Sequence, residues 1–387
     1  MNYRSFAFGV GALFFLAAYG PAKPEGFKES LFNGKNLDGW VVTGCEAGVE
    51  KGLLVLKDGD GFVRSVQRYG DFILELDWKA RKPSQYDSGI YIRADLPTGK
   101  HVWPAKYQVN LKQGEEGTIV GMKEATMSSG LVKPGDWNHF KITCIGKTAA
   151  LEINGSPAWK TDKLENLDGF IGLQSEVKNG GQFEFRNFEI TEIGFKPLFN
   201  GKDLTGWQGG TKDYTVEDGK MICHREGHED LFTTDEYSDF AIRFEFKMEP
   251  GANNGLGIHA PLKGDKSVAY RGIEIQILDD PDPRYKDIHP YQAHGSVYGV
   301  VAAKRGHLSP VGEWNFEEVI TKGKHIVVNL NGTTIVDADV DKASADGTID
   351  HQDHPGLKRT KGYIGWLGHG AQLEFRNVRL MDLSQSK

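Results

Sequence analysis

The sequence predicts an all-β protein built from two tandem jelly-roll-type β-sandwiches. Most of its segments are short, lie between Gly-rich turns and alternate apolar with polar residues, which is the period of a strand with one buried face. The same set of motifs occurs twice in the same order, which indicates an internal duplication. Because each strand must cover its apolar face, two antiparallel sheets packed face to face are the simplest architecture for each copy.

The duplicated motifs define two copies, one over residues 31–192 and one over residues 198–387. Each copy contains an Asn-Gly pair between alternating segments, as a tight hairpin requires. The joining segment, Gly194–Pro197, contains no Ser/Gly tract, so we expect two domains with separate cores that pack together. The paired motifs are LFNGKNLDGW (31–40) with LFNGKDLTGW (198–207), VEKG (49–52) with VEDG (216–219), PGDWN (134–138) with VGEWN (311–315), and GGQFEFRNFEI (180–190) with GAQLEFRNVRL (370–380).

Composition narrows the class of ligand. The 387 residues carry a formal net charge of -7, and no basic stripe offsets this acidic excess, so nucleic acid and anionic membranes are not expected partners. The three cysteines, Cys45, Cys144 and Cys223, show no CxxC spacing and predict neither a disulfide framework nor a structural zinc site.

Residues 1–22 have the pattern of a secretory signal. Arg4 supplies the positive charge, and the apolar run Phe6–Ala18 is too short to span a bilayer and is followed by small residues. The sequence therefore predicts a periplasmic or secreted protein, and no later segment is expected to insert into a membrane.

The segment Gly272–Asp280, GIEIQILDD, contains the main candidate site residues. Ile273, Ile275 and Ile277 occupy every second position, so Glu274 and Gln276 must project together from the other face of one strand. Because Glu is depleted in strands, this pair is a candidate for ligand contact, and a merely solvated face is the alternative.

Other side chains of the second copy are weaker candidates. His259 follows two inward-facing residues, so strict alternation places it on the same face as Glu274 if the strands are neighbours. His369 lies between two glycines, which would let the backbone approach a ligand closely. Arg271 and Tyr298 are candidate sugar contacts through their donor groups. Asp279 belongs to an acidic run without EF-hand spacing and is a candidate substrate contact or part of a solvated loop.

The first copy lacks the carboxylate. When Trp137 is aligned with Trp314, Gln108 falls opposite Glu274 and Asn110 falls opposite Gln276, so these two amides are candidate binding residues. The first copy also lacks the segment DPRYKDIHPYQAH (282–294), and only two of the 12 histidines lie in it. We therefore expect the second copy to be catalytic and the first to be degenerate or substrate-binding.

The LFNGK opening, the EIQILDD strand, the EWN turn and the closing EFRN strand together resemble the 3-keto-disaccharide hydrolase family, in both copies. The resemblance implies a concanavalin A-like jelly roll that acts on an oxidised glycoside or oligosaccharide. Members of the family act as 3-keto-glycoside 1,2-lyases and as hydratases of the resulting 3-keto-2-hydroxy-glucals.

The implied chemistry assigns roles to the candidates. Cleavage needs a base at C2, an electrophile at the C3 oxygen and an acid for the group leaving C1. Glu274 is the expected base. His259 and His369 are candidates for the electrophile or acid, acting directly or, together with Glu274, as ligands of a divalent metal cation.

Two other functions remain open from the sequence. Jelly rolls also serve as non-catalytic glycan-binding, lectin-like proteins, because a fold does not determine a function. A conventional glucanase is disfavoured, because the residue two positions after Glu274 on its strand is the amide Gln276 and not a second carboxylate.

Overall fold

The computed structural model describes residues 25–126 and 130–384, and the predicted signal segment lies outside them. The chain is all-β, as predicted, and its two copies form two sandwiches, which we call domain 1 (25–193) and domain 2 (196–384). The main core of domain 1 draws its buried residues from positions 32–190, and that of domain 2 draws its own from 199–380. The duplicated sequence therefore folds as two units with separate cores.

Domain 1 is hydrogen-bonded as one sheet that folds over into two layers. Its 17-residue strand, Leu53–Tyr69, belongs to both layers, because its first half pairs with β11 and its second half with β10. The strand order is β6-β5-β10-β3-β11-β4-β7-β8-β9, with β1 beside β11 and β2 beside β3. The elements are β1 (Gly26–Ser30), β2 (Trp40–Glu50), β3 (Leu53–Tyr69), β4 (Phe72–Ala80), β5 (Gly89–Ala94), β6 (Gln108–Asn110), β7 (Asn138–Ile145), β8 (Thr148–Ile153), β9 (Ser156–Thr161), β10 (Gly169–Glu176), the short helix α1 (Val177–Gly180) and β11 (Phe183–Ile193).

Domain 2 has two separate sheets. The front sheet has the order β13-β16-β23-β18-β19, and the back sheet has the order β14-β15-β24-β17-β20-β21-β22 with β12 beside β24. The elements are β12 (Lys196–Pro197), β13 (Trp207–Gly209), β14 (Tyr214–Glu217), β15 (Lys220–Cys223), β16 (Leu231–Thr233), β17 (Phe240–Met248), β18 (Asn253–Ala260), α2 (Val268–Arg271), β19 (Ile273–Leu278), β20 (Asn315–Lys322), β21 (His325–Leu330), β22 (Thr333–Asp339), α3 (Val340–Ala343), β23 (Tyr363–Gly368), β24 (Leu373–Asp382), and 3₁₀ turns at Thr211–Asp213, Pro283–Tyr285, Pro290–Gln292 and Pro355–Lys358.

Alternation determines which side chains fill the core of domain 2. Phe244 on β17 and Phe375 on β24 point inward from the back sheet and meet Trp366 of β23, whose ring stacks on Phe375 at a centroid distance of 4.0 Å. Ile275 of β19 is also fully buried in this core. Glu274 and Gln276 must therefore face away from the core, on the outer side of the front sheet.

The two Asn-Gly pairs form the predicted tight hairpins. Asn154 and Gly155 have φ values of 51° and 80°, and Asn331 and Gly332 have 50° and 81°. Two consecutive positive φ values are the signature of a type I′ turn, which matches the twist of paired strands.

The two domains pack directly against each other. A cluster of buried charged residues crosses the junction, where Arg379 of domain 2 pairs with Glu29 and Glu192 of domain 1 at 3.1 and 2.5 Å. The β21–β22 hairpin of domain 2 also meets domain 1, because a Cβ at Gly332 would lie 2.4 Å from the carbonyl oxygen of Val66. In the described part of the chain, no helix has the length and apolar character needed to cross a membrane.

Candidate active site

The outer face of the domain 2 front sheet contains a pocket of about 240 Å³. Its floor comes from β18, β19 and β23, and its walls come from α2 and from the segment 282–294 that domain 1 lacks. The lining residues are Asp230, Asn253, Ser267, Val268, Ala269, Tyr270, Glu274, Gln276, Leu278, Tyr285, Ile288, Gln292, Tyr298, Leu367 and His369.

Glu274 lies at the bottom of this pocket and is only 6% exposed. Burial, with a smaller contribution from the charge of Asp230, raises the pKa of its carboxyl to about 8. Among the described residues, no side chain or backbone N–H donates a hydrogen bond to this carboxylate. An unpartnered carboxyl group with a pKa near neutrality is suited to exchanging protons with a ligand.

Two glycines of β18 make room for this carboxyl group. Gly257 pairs with Glu274, and Gly255 pairs with Gln276. A Cβ at Gly255 would lie 2.4 Å from Oε1 of Glu274, so the glutamate leans across Gly255. The absence of a side chain at Gly255 therefore permits the observed position of the carboxylate.

Asp230 provides a second carboxylate on the opposite side of the pocket. It directly precedes β16, and its side chain is 29% exposed. Its Oδ2 lies 3.4 Å from Nη2 of Arg271. Burial raises the pKa of Asp230, and the nearby Arg271 charge opposes this only in part. The pattern of the sequence did not indicate Asp230, because two strands, β23 and β18, separate β16 from β19 in the sheet.

Tyrosines and amides form the walls. The Tyr298 hydroxyl accepts a hydrogen bond from Gln292 Nε2 at 3.2 Å, so its own hydrogen is available to a ligand. Gln276 Nε2 donates to Asn253 Oδ1 at 3.0 Å, which fixes the orientation of the amide. Tyr270 and Tyr285 also line the pocket. Aromatic rings and oriented amides are the groups that bind the faces and hydroxyls of a sugar.

The expectation that His259 shares this face is wrong. A bulge between Gly257 and Ala260 interrupts the alternation of β18, and His259 has a φ of 49°. Its buried ring instead places Nε2 at 2.8 Å from the carbonyl oxygen of Ser238, and burial lowers its pKa. Arg93 occupies the equivalent bulge of domain 1 with a φ of 46°, and its side chain donates a hydrogen bond to Gly70 O. In both domains, the residue at the bulge therefore binds a backbone carbonyl group of a neighbouring loop.

His369 lies at the pocket rim, with an exposed side chain. Partial loss of water around its imidazole ring and the charge of the nearby His228 lower the pKa of His369. The flanking glycines serve a different purpose from the one expected, because a Cβ at Gly370 would lie 2.5 Å from Cε1 of His228 and one at Gly368 would lie 2.8 Å from Glu229 O. The two glycines leave room for the adjacent segment of the same domain, at His228 and Glu229. The group that faces the pocket here is the His369 ring.

The predicted metal ligand set does not assemble. Glu274 and His369 line the pocket, but the His259 ring lies outside it. Over residues 25–126 and 130–384, no group of three His, Cys, Asp or Glu side chains is arranged to hold a metal ion. The physical reason is the bulge in β18, which turns His259 away from Glu274.

Two more candidates of domain 2 have contacts outside the pocket. Asp279 is 4% exposed, and its Oδ2 accepts a hydrogen bond from Gly251 N at 2.7 Å, so it stabilises the turn before β18. Arg271 does not line the pocket; it stands behind Asp230 and also donates to Pro261 O. Gln276 and Tyr298 do line the pocket.

The equivalent region of domain 1 is filled by its own side chains. Gln108 pairs with Tyr91 as Glu274 pairs with Gly257, which agrees with the sequence alignment of Gln108 with Glu274. The Tyr91 hydroxyl donates to Gln108 Oε1 at 3.0 Å, and the Tyr91 ring meets Phe62 edge-on. Asn110 donates to Glu115 at 3.2 Å. Gln108 and Asn110 therefore make contacts within domain 1.

The two carboxylates define what the domain 2 pocket can do chemically. A carboxyl group of raised pKa, a second carboxyl group and a tyrosine donor surround a space that holds about one sugar ring. Such a site can remove a proton from an activated carbon and return it.

Comparison with known proteins identifies the family. The family model for the 3-keto-alpha-glucoside-1,2-lyase-like domain matches residues 28–191 and again residues 194–381. A 3-keto-disaccharide hydrolase from Bacteroides thetaiotaomicron is 25% identical over 246 residues, covering 53% of this chain and 84% of that protein.

Among solved structures, the chain is similar to proteins of Parabacteroides distasonis that are provisionally named glycosyl hydrolases. One is 30% identical, with 49% of this chain and 99% of that chain covered and a TM-score of 0.44. Another is 27% identical, with 49% and 94% covered and a TM-score of 0.43. With two matched regions that together span most of its length, this chain belongs to the 3-keto-alpha-glucoside-1,2-lyase-like domain family.

Proposed function

We propose that this protein is a carbohydrate-active enzyme that cleaves 3-keto-glycosides by elimination across C1–C2 and hydrates the resulting 3-keto-2-hydroxy-glucal. The family match and the name of the Bacteroides relative support a hydrolase of 3-keto sugars. The domain 2 pocket is the proposed site of both steps. Domain 1 is proposed to be non-catalytic, and the protein is proposed to be exported on the basis of residues 1–22.

The single observation that carries this proposal is the buried, unpartnered carboxyl group of Glu274. A ketone at C3 acidifies the proton at C2, because the enolate that forms is delocalised onto the ketone oxygen. A base whose pKa lies near the working pH is the most effective at removing such a proton. With a pKa of about 8, Glu274 meets this requirement far better than a solvated carboxylate.

The walls supply the other requirements of the reaction. Tyr298 can donate its hydroxyl hydrogen to the developing C3 enolate, because Gln292 already donates to its oxygen. His369 is a second candidate donor at the rim. A pocket of about 240 Å³ holds one oxidised ring, so the aglycone must extend toward solvent.

Glu274→Gln tests this proposal. The amide keeps the shape of the side chain but cannot accept the C2 proton, so turnover of a 3-keto-glucoside should fall by roughly a hundredfold or more. Exchange of the C2 proton with solvent deuterium should fall in parallel. In the wild-type protein, this exchange should rise with pH through about 8, because only the ionised Glu274 accepts the proton.

Gln108→Leu is the matched control at the equivalent position of domain 1. It should retain turnover, because Tyr91 already fills that region. The unoxidised glucoside should not be cleaved by any variant. Binding of the keto sugar by the wild-type protein without aglycone release or C2 exchange would instead favour the glycan-binding function.

A further inference from the structure

Asp230 lines the pocket, but it has no role in an elimination that Glu274 performs alone. It directly precedes Leu231, which pairs with Trp366, so it stands beside Leu367 in the front sheet. Leu367 pairs with Gly255, and Gly255 lies beneath the Glu274 carboxylate. The two carboxyl groups therefore face each other across the strand that contains Leu367.

The spacing between them suits one sugar ring. Two strand intervals separate Asp230 from Gly255, which is roughly 10 Å of sheet at about 4.8 Å per interval. Both side chains project over the floor between these points, and Leu367 forms an apolar surface there. Inverting glycosidases place two carboxyl groups about 6.5–9.5 Å apart so that they act on opposite sides of one ring.

The surroundings of the pair favour one shared proton. Both carboxyl groups have raised pKa values, because both are withdrawn from water, and the charge of Asp230 also opposes ionisation of Glu274. Arg271 is the cation beside Asp230, at 3.4 Å. It can stabilise the Asp230 carboxylate after that group has given up a proton.

Domain 1 has lost both groups together. The position of Glu274 is taken by Gln108, which pairs with Tyr91. The position of Asp230 is taken by Phe62, which pairs with Gln174 of β10 as Asp230 stands beside Leu367 in domain 2. Neither an amide nor a phenyl ring exchanges protons, so the replacement removes an acid–base pair as a unit.

We propose that Asp230 and Glu274 form a one-proton acid–base pair across the sugar ring, in which Asp230 protonates the oxygen that leaves C1. This inference rests on the proposed function. In the resting pair the proton lies on Glu274, because Glu274 is the more deeply buried carboxyl group and Asp230 lies beside Arg271. The form that reacts is the reverse one, with the proton on Asp230 and Glu274 ionised. In the elimination, Glu274 takes the C2 proton, the C1–O bond breaks with its electrons on the leaving oxygen, and Asp230 gives that oxygen its proton. The products are the free alcohol and the 3-keto-2-hydroxy-glucal, with Glu274 protonated and Asp230 ionised.

Hydration then returns the pair to its starting state. Asp230 takes a proton from a water molecule whose oxygen bonds to C1, and Glu274 returns its proton to C2. One water molecule is consumed, no oxidant or reductant is needed, and the net reaction is hydrolysis. The shared proton explains how one pocket can perform elimination and hydration in sequence.

Asp230→Asn tests this role through the leaving group. A 3-keto-glucoside with an alkyl aglycone needs an acid, whereas one with a nitrophenyl aglycone leaves as a stable anion without one. The variant should lose about a hundredfold or more in kcat on the alkyl substrate and less than about tenfold on the nitrophenyl substrate. C2 proton exchange should persist in this variant, whereas Glu274→Gln should slow both substrates and the exchange.

Glu229→Gln is the control, because Glu229 is the exposed neighbour of Asp230 and does not line the pocket. It should behave as wild type on both substrates. Equal losses on the two substrates, or no loss on either, would overturn the acid role of Asp230 while leaving the proposed function intact. If the wild-type protein released neither aglycone and exchanged no C2 proton, the proposed function itself would fail.

Discussion

The buried carboxyl group of Glu274 is needed for the proposed reaction, but its ionisation lowers the stability of the folded protein. Its pKa of about 8 in the folded protein stands well above the ordinary glutamate value of 4.5. The folded state therefore holds a proton that the unfolded state releases between these two pH values. Stability from this group is fully present below pH 4.5 and declines as pH rises toward 8.

Glu274→Gln should accordingly stabilise the protein at alkaline pH while it lowers turnover by roughly a hundredfold or more. The gain in the free energy of unfolding should be near zero at pH 4.5 and reach a few kcal/mol by pH 9, because each pKa unit is worth about 1.4 kcal/mol. Urea unfolding of variant and wild type across this range measures it. A difference that does not change with pH would show that Glu274 is not held in a desolvated site.

The sequence predicted Glu274 and Gln276 but missed Asp230, for a physical reason. Alternation along one strand determines which residues share a face, so Glu274 and Gln276 could be identified from local sequence. Asp230 lies 44 positions earlier in the chain and reaches the pocket only through the order of strands in the front sheet. That order depends on tertiary pairing, which no local period encodes.

At the scale of elements, β18 of domain 2 and its counterpart β5 of domain 1 share a glycine at the same position, although the side chain that covers this glycine differs. Gly255 and Gly89 occupy equivalent places, and each lies beneath the side chain of the neighbouring strand. A Cβ would lie 2.4 Å from Oε1 of Glu274 at Gly255, and 2.5 Å from Cγ of Gln108 at Gly89. The glycine is thus a common requirement, and the residue above it differs.

Gly255→Ala should displace the Glu274 carboxylate and lower turnover by about ten- to a hundredfold, because catalysis depends on the position of the base within about half an ångström. The loss of stability should stay modest, about 1 kcal/mol, since the clash is with a side chain that can move. Gly89→Ala is the matched control and should cost comparable stability with turnover unchanged. Turnover lost equally in both variants would contradict the assignment of the active site to domain 2.

The bulge and the inserted segment of domain 2 limited prediction at this scale. Strict alternation placed His259 beside Glu274, but the extra residue of a bulge reverses the faces beyond it. The presence of segment 282–294 was evident from the sequence, whereas its role as a pocket wall depends on Tyr285, Ile288 and Gln292 reaching over β19. Loop paths of this kind follow from contacts made after folding.

At the scale of the whole molecule, the domain junction contains an unbalanced set of buried charges. Three carboxylates, those of Glu29, Glu192 and Glu318, meet the two guanidinium groups of Arg243 and Arg379. A cavity of about 420 Å³ lies beside them, lined by residues of both domains. The duplicated motifs predicted two packed domains but not these contacts. The position equivalent to Glu29 is Lys196 in domain 2, and the position equivalent to Arg379 is Glu189 in domain 1, so the charges at both places are reversed between the copies.

The excess carboxylate makes the junction sensitive to pH. Burial raises the pKa of Glu29 to about 7, although Arg379 opposes this shift. Because the folded pKa is raised, the folded protein binds a proton that the unfolded chain releases above the ordinary glutamate pKa of 4.5. The stability that Glu29 contributes is therefore greatest below pH 4.5 and is lost as pH rises through 7.

Glu29→Gln should remove this part of the pH dependence. Arg379 keeps Glu192 as its partner, so the neutral amide leaves two carboxylates facing two guanidinium groups. Relative to wild type, the variant should gain up to a few kcal/mol in the free energy of unfolding at pH 8 and nothing at pH 4.5. The difference between variant and wild type at each pH isolates Glu29 from Glu274. Glu189→Gln is the control, because Glu189 is an exposed partner of Lys28, and it should change the free energy of unfolding by less than about 0.5 kcal/mol at any pH. Parallel pH profiles for Glu29→Gln and wild type would show that the junction takes up no proton at Glu29.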